Sequence, residues 1–136
     1  MKKIFFICLF ISAINSFAQN HNGLSETEFK KLKKLYIEMT NSDSYRAMKA
    51  QSKLIVGKIN GEKLSNIETN EDFNKWITQN ISKTKFSSIE EGNSMFKLMM
   101  ELTEKTLNEF KEVYEKLKRT SQKQMLELLE DERSRE

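Results

Sequence analysis

Proline is absent from these 136 residues, and glycine, cysteine, histidine and tryptophan are scarce, with four, one, one and one copies. Each shortage excludes something. Without proline, no helix is stopped by a missing backbone N–H, so breaks must come from turn and cap residues. One cysteine cannot close an intrachain disulfide or build a thiolate metal cage. A single histidine, His21, leaves the chain without the usual nucleophile–base pairings built on His or Cys. No stretch alternates apolar and polar residues with period two, so strands have no support either. The charge is close to balanced, 23 basic against 20 acidic residues.

What is present begins with a targeting pattern. Lys2 and Lys3 precede an apolar run from Ile4 to Ile14, interrupted only by Ser12, and Ser16 and Ala18 are small residues at its polar end. This is the layout of a secretory signal peptide cut between Ala18 and Gln19. A membrane span needs about 20 apolar residues, more than this run offers. A lipid-anchored form would need a cysteine at the end of the run, whereas Cys8 lies inside it. The expectation is an exported chain, periplasmic or extracellular, with no transmembrane anchor after cleavage. Losing residues 1–18 removes Lys2, Lys3 and Cys8, leaving 21 basic and 20 acidic residues in 118. A nucleic-acid reading then loses its electrostatic footing.

Residues 19–24 read as a flexible leader and 25–136 as a single helical domain. Ser25 with Glu28 forms a capping box, with Leu24 and Phe29 placed for a hydrophobic staple. Phe29, Leu32, Leu35, Tyr36 and Met39 share one helical face that ends near Thr40. After the turn-prone Asn41-Ser42-Asp43-Ser44, a second face is formed by Tyr45, Met48, Ser52, Ile55, Val56 and Ile59. Asn60-Gly61 then reads as a helix stop, because its flanks lack the alternation of a hairpin. Thr69 or Asn70 opens a third helix carrying Phe73, Trp76, Ile77, Asn80 and Ile81, in which Trp76 reads as a core anchor. Asn80-Ile81-Ser82 is also an N-glycosylation triplet, relevant only in a eukaryotic secretory route.

Ser88 with Glu91 opens the longest pattern, which runs to Asp131. Phe96, Met100, Thr103, Leu107, Phe110, Tyr114 and Leu117 form its apolar stripe. Unbroken, 44 residues of helix would span about 66 Å, against a radius of gyration of about 13 Å for a compact chain of this size. The expectation is therefore an all-α bundle of about four helices, the last projecting or broken near the polar run Lys118–Gln124. Tyr114, Leu117, Ser121, Met125 and Leu128 still fall on one face, so continuation is also geometrically allowed.

Function is less specified. No catalytic constellation is visible and no cofactor is implied; the acidic residues sit at helix starts, where they serve the dipole and caps. Met125, Leu126, Leu128 and Leu129 on a projecting end would invite a protein partner or a second copy, the alternative being an end that folds back as a hairpin. Histidine at the third mature position could hold Cu(II) or Ni(II) through His21, and Met95 with Met99, four apart, could offer thioethers to Cu(I). Core filling is the ordinary reading of the two methionines. Lys30, Lys31, Lys33 and Lys34 could meet an acidic partner or an anionic surface, since residues 25–63 carry nine basic and five acidic residues while 64–136 carry twelve and fifteen. The composition points to an exported helical binding or adaptor protein without catalytic activity, with metal or small-ligand handling, or inhibition of an envelope enzyme, as alternatives.

Overall fold

A computed structural model of the chain describes residues 22–136. In order, the helices are α1 Glu26–Thr40, α2 Asp43–Ile59, α3 Asn70–Asn80, a 3-10 turn Ile81–Lys83, α4 Ile89–Glu109, α5 Lys111–Leu117 and α6 Gln122–Arg135. No strand occurs among the described residues, so the chain is all-α, with six α-helices where about four were expected. The export segment 1–18 and His21 lie outside the described residues.

Local chemistry sets most boundaries. Ser25 and Glu28 form the reciprocal capping box of α1, and Thr69 with Asp72 does the same for α3. Ser42 caps α2 through the Tyr45 amide. At the other end Asn60 turns left-handed, φ 63, and Gly61 follows at φ 82, which ends the helix as Asn-Gly should. At α4, Ser88 accepts from the Glu91 amide, but the Glu91 carboxylate turns to the Ser87 amide and to Lys58 instead of closing a box.

The long C-terminal helix is broken twice. Phe110 leaves helical geometry at φ −121, ψ 47, and Ser121 does so at φ −74, ψ 162. The second break falls within the expected Lys118–Gln124 run, and α6 folds back instead of projecting. The physical reason is burial: a straight rod would leave Met125 and Leu128 in water, whereas here they are 7% and 1% exposed. The stripe also sits differently from expectation. Gly92, Phe96, Met99 and Thr106 are buried on α4, while Met100, Thr103, Leu107, Phe110 and Tyr114 are only half-buried. Helix α4 packs against both α2 and α3, so its buried arc is centred on the crease between them. Gly92 is what permits the α3 contact, because a Cβ there would stand 1.9 Å from Ile77 Cδ1.

Two apolar clusters result. The first joins Leu24, α1, the start of α2, Val113 and Leu117 of α5, and Met125 and Leu128 of α6. The second joins Ile55 and Ile59 at the end of α2, Phe73 and Ile77 of α3, Phe86, and Phe96 and Met99 of α4. Phe73 stacks on Phe96 at 4.4 Å and meets Phe86 edge-on at 6.2 Å. Trp76 is a half-buried lid, not a core anchor: its indole N–H donates to the Lys63 carbonyl at 3.0 Å and so ties down the segment before α3.

Candidate functional site

Helix α6 is held by polar ties at successive turns, all reaching the N-terminal part of the chain. At its start, the Gln124 side chain accepts from the Leu24 amide and donates to the Leu24 carbonyl, both at 2.9 Å. The expected flexible leader therefore ends earlier, since Leu24 is buried and clasped. In the middle, Lys33 pairs with Glu127. Near its end, Glu132 is buried and accepts three hydrogen bonds, from the Tyr36 hydroxyl at 2.8 Å, the Tyr45 hydroxyl at 2.6 Å and the Lys49 ammonium at 3.0 Å. Lys49 also pairs with Glu136, and Arg135 donates to the Thr40 hydroxyl at 3.2 Å.

The electrostatics of the Glu132 centre are those of a tie. Burial works to raise the Glu132 pKa, but the hydrogen bonds from Tyr45, Tyr36 and Lys49 outweigh it and hold the carboxyl below its ordinary value. Burial, reinforced by the nearby carboxylate, pushes both phenols far above the usual tyrosine range. At neutral pH the tyrosines are therefore donors, and three internal donors already occupy the carboxylate. Such a group positions a helix; it does not offer a base to an incoming molecule.

The residues singled out in the sequence distribute as follows. Met125 and Leu128 are buried in the first cluster, Leu129 is half-buried against it, and Leu126 alone is exposed, at 53%. The apolar surface expected on a projecting end has gone inside. Met99 is a core residue of the second cluster and Met95 packs against it, so both thioethers serve packing. Lys31 pairs with Glu112 at 2.9 Å and Lys33 with Glu127, which neutralises half of the lysine patch; Lys30 and Lys34 stay exposed. The Asn80 side-chain amide, the glycosylation acceptor of its triplet, donates to the Trp76 carbonyl at 2.8 Å. Among the described residues no group of three or more His, Cys, Asp or Glu is placed to hold a metal ion, and no helix is long and apolar enough to cross a membrane.

One surface escaped the sequence reading. Helices α2 and α4 run antiparallel, as three cross-links show: Ser44 to Glu109 at 2.6 Å, Gln51 to the Met95 carbonyl at 3.0 Å, and Lys58 to Glu91 at 2.6 Å. Leu54 and Leu98 each follow a residue of the central link by three positions; because the helices are antiparallel these steps run in opposite directions, so the two leucines stand about 9 Å apart along the seam. They are 57% and 45% exposed, while their neighbours Ile55 and Met99 point into the core. Ala50 and Gly57 flank Leu54 on the exposed side, and a Cβ at Gly57 would meet nothing within 4 Å. The available signal was a large apolar residue out of phase with the buried face of its own helix. Compared with protein-family models, curated proteins and solved structures, the chain matches none.

Proposed function

We propose that the chain is an exported helical binding or adaptor protein, without catalytic activity, that engages a protein partner through the apolar face shared by α2 and α4. The observation that carries this reading is the exposure of both Leu54 and Leu98 along the α2–α4 seam. Ala50, Leu54, Gly57, Ser94 and Leu98 are uncharged and the nearby Lys58 and Glu91 neutralise each other, while exposed Lys53, Lys97 and Glu101 lie at the edge of this surface. Exposed aliphatic anchors with charged residues at their rim are the pattern of an interface patch. Gly57 adds weight, since a mid-helix glycine costs about 0.5–1 kcal/mol relative to alanine and nothing inside the fold requires one there. Export rests on the layout of residues 1–18. The expected partner is thus an envelope or extracellular protein, including an enzyme that the chain would inhibit.

The deciding experiment is capture from an envelope fraction with the wild-type protein and with Leu54→Ser/Leu98→Ser, both checked for unchanged helical circular dichroism. A partner retained by the wild type and lost by the double variant supports the reading. Equal retention by both proteins removes the face from consideration.

A further inference from the structure

We propose that the dock for α6 accepts the same helix from a second copy of this chain, giving a reciprocal dimer with Ser121 as the hinge. This inference is independent of the α2–α4 face and rests on three features of α6. The first is where its bonds go. Its ties run to Leu24, Lys33, Tyr36, Thr40, Tyr45 and Lys49, residues 83 to 100 positions away, and no side-chain hydrogen bond or ion pair of residues 122–135 reaches α4 or α5. Every one of these contacts can therefore be made by an α6 arriving from another molecule.

The second feature is how little separates α6 from α5. The amides of Lys118, Arg119 and Thr120 still bond back to Tyr114, Lys116 and Leu117 at 3.0–3.2 Å, so the turn of α5 runs on to Thr120. Ser121 is extended, and helix resumes at Gln122. Bringing residues 118–121 into α-helical geometry joins α5 and α6 into a rod of 25 residues, about 37 Å long. The third feature is that the sequence tolerates the rod, because Tyr114, Leu117, Ser121, Met125 and Leu128 lie on one face at steps of three and four.

Opening in isolation is unfavourable, since it strips Met125 and Leu128 of cover and leaves Tyr36 and Tyr45 without their acceptor. Two opened copies restore the long-range ties of α6 in trans and give up the Ser121–Gln124 cap. The balance between closed monomer and exchanged dimer is then set by the hinge and by protein concentration. A short hinge favours exchange.

Sedimentation of the full chain over a range of concentrations tests this, with two hinge variants. Ser121→Ala removes the cap of α6 and favours a continuous helix, and should raise the dimer association constant roughly tenfold. Gln122→Pro sits at the first position of α6, where proline is tolerated and the extended Ser121 suits the residue before it, but it forbids the continuous rod. It should abolish the dimer while leaving helicity intact. Reciprocity is read by mixing a Lys33→Glu chain with a Glu127→Lys chain: exchange restores both ion pairs between the two molecules, so the mixed dimer should form in preference to either parent dimer. A chain that stays monomeric at every concentration overturns the proposal. So does a dimer that survives Gln122→Pro, which would assign association to another surface. Should Ser121→Ala lose its fold, the wild type and Gln122→Pro still decide.

Discussion

The two apolar clusters are held by different physics, although α2 and α4 run through both. The second cluster is closed by packing: Phe73, Phe86 and Phe96 meet face and edge, Ile77 fills the space left by Gly92, and no charged side chain enters. The first cluster has aliphatic contacts too, but its outermost helix is secured by carboxylates and amides, above all by Glu132. Packing has no off position short of unfolding. Polar ties can be exchanged with a second chain, or weakened by protonation, while the rest of the fold persists. The difference assigns stability to the α2–α3–α4 half and conformational options to the half that holds α6.

The sharpest way to test the packed half is to hollow it. Phe96→Ala removes a fully buried ring stacked on Phe73, and the expected loss is about 3–5 kcal/mol of unfolding free energy in urea titration. The loss should fall on the amides of α3 and α4, with those of α6, which open separately, changing less. An equal loss of protection in α6 would show that the two clusters unfold as one cooperative unit, and would break the contrast between them.

For the tied half the corresponding change is Glu132→Gln, which keeps the shape but removes the charge that three donors converge on. The expected loss is about 1–3 kcal/mol, concentrated in hydrogen-exchange protection of α6. Its pH dependence identifies the cause. Because the folded Glu132 pKa lies below its ordinary value of 4.5, its contribution is complete above that value and is lost as pH falls through the lowered one. The gap in stability between wild type and Glu132→Gln should therefore be constant from neutral pH down to about pH 5 and narrow below about pH 4. Glu28, Asp72, Glu91 and Glu112 are lowered as well, so acid weakens both proteins; only the difference reports Glu132. A gap that stayed constant into acid would show that the carboxylate charge is not what secures α6.

The same contrast explains what could be read before the structure. Elements whose reasons are local were legible: the Ser25 and Thr69 caps, the Asn60-Gly61 stop, and the buried faces of α1 and α2 down to Ser52 and Ile59. The long C-terminal helix was legible as amphipathic but not as three pieces. The break at Ser121 lies in the expected Lys118–Gln124 run and is marked locally by the Ser121–Gln124 capping box, whereas the one at Phe110 has no side-chain cap to announce it. Glu132 looked like one more acidic residue in a charged tail, since its value lies in the pairing with Tyr36, Tyr45 and Lys49, which has no sequence spacing. Leu54 and Leu98 were passed over because a periodicity argument collects the residues that fit a stripe and ignores those that do not. The candidate face is made of the latter.

Between the clusters lies a position that belongs to neither, and it supplies the smallest of these effects. Ser52 is 1% exposed on the inward face of α2, between Met48 of the first cluster and Ile55 of the second, and its hydroxyl has no hydrogen-bond partner. A buried hydroxyl without a partner forfeits the hydrogen bonds it made to water in the unfolded chain. Alanine fits the same space, is the better helix former and has no hydroxyl to desolvate. Ser52→Ala should therefore raise the unfolding free energy by up to about 1 kcal/mol, seen as a higher urea midpoint with an unchanged slope. A gain shared equally by α3 and α6 in hydrogen exchange would show that α2 couples the two halves through this point. A loss of stability would mean that the hydroxyl makes a bond that matters in solution, and that the waist is a third polar tie instead of a defect in the packing.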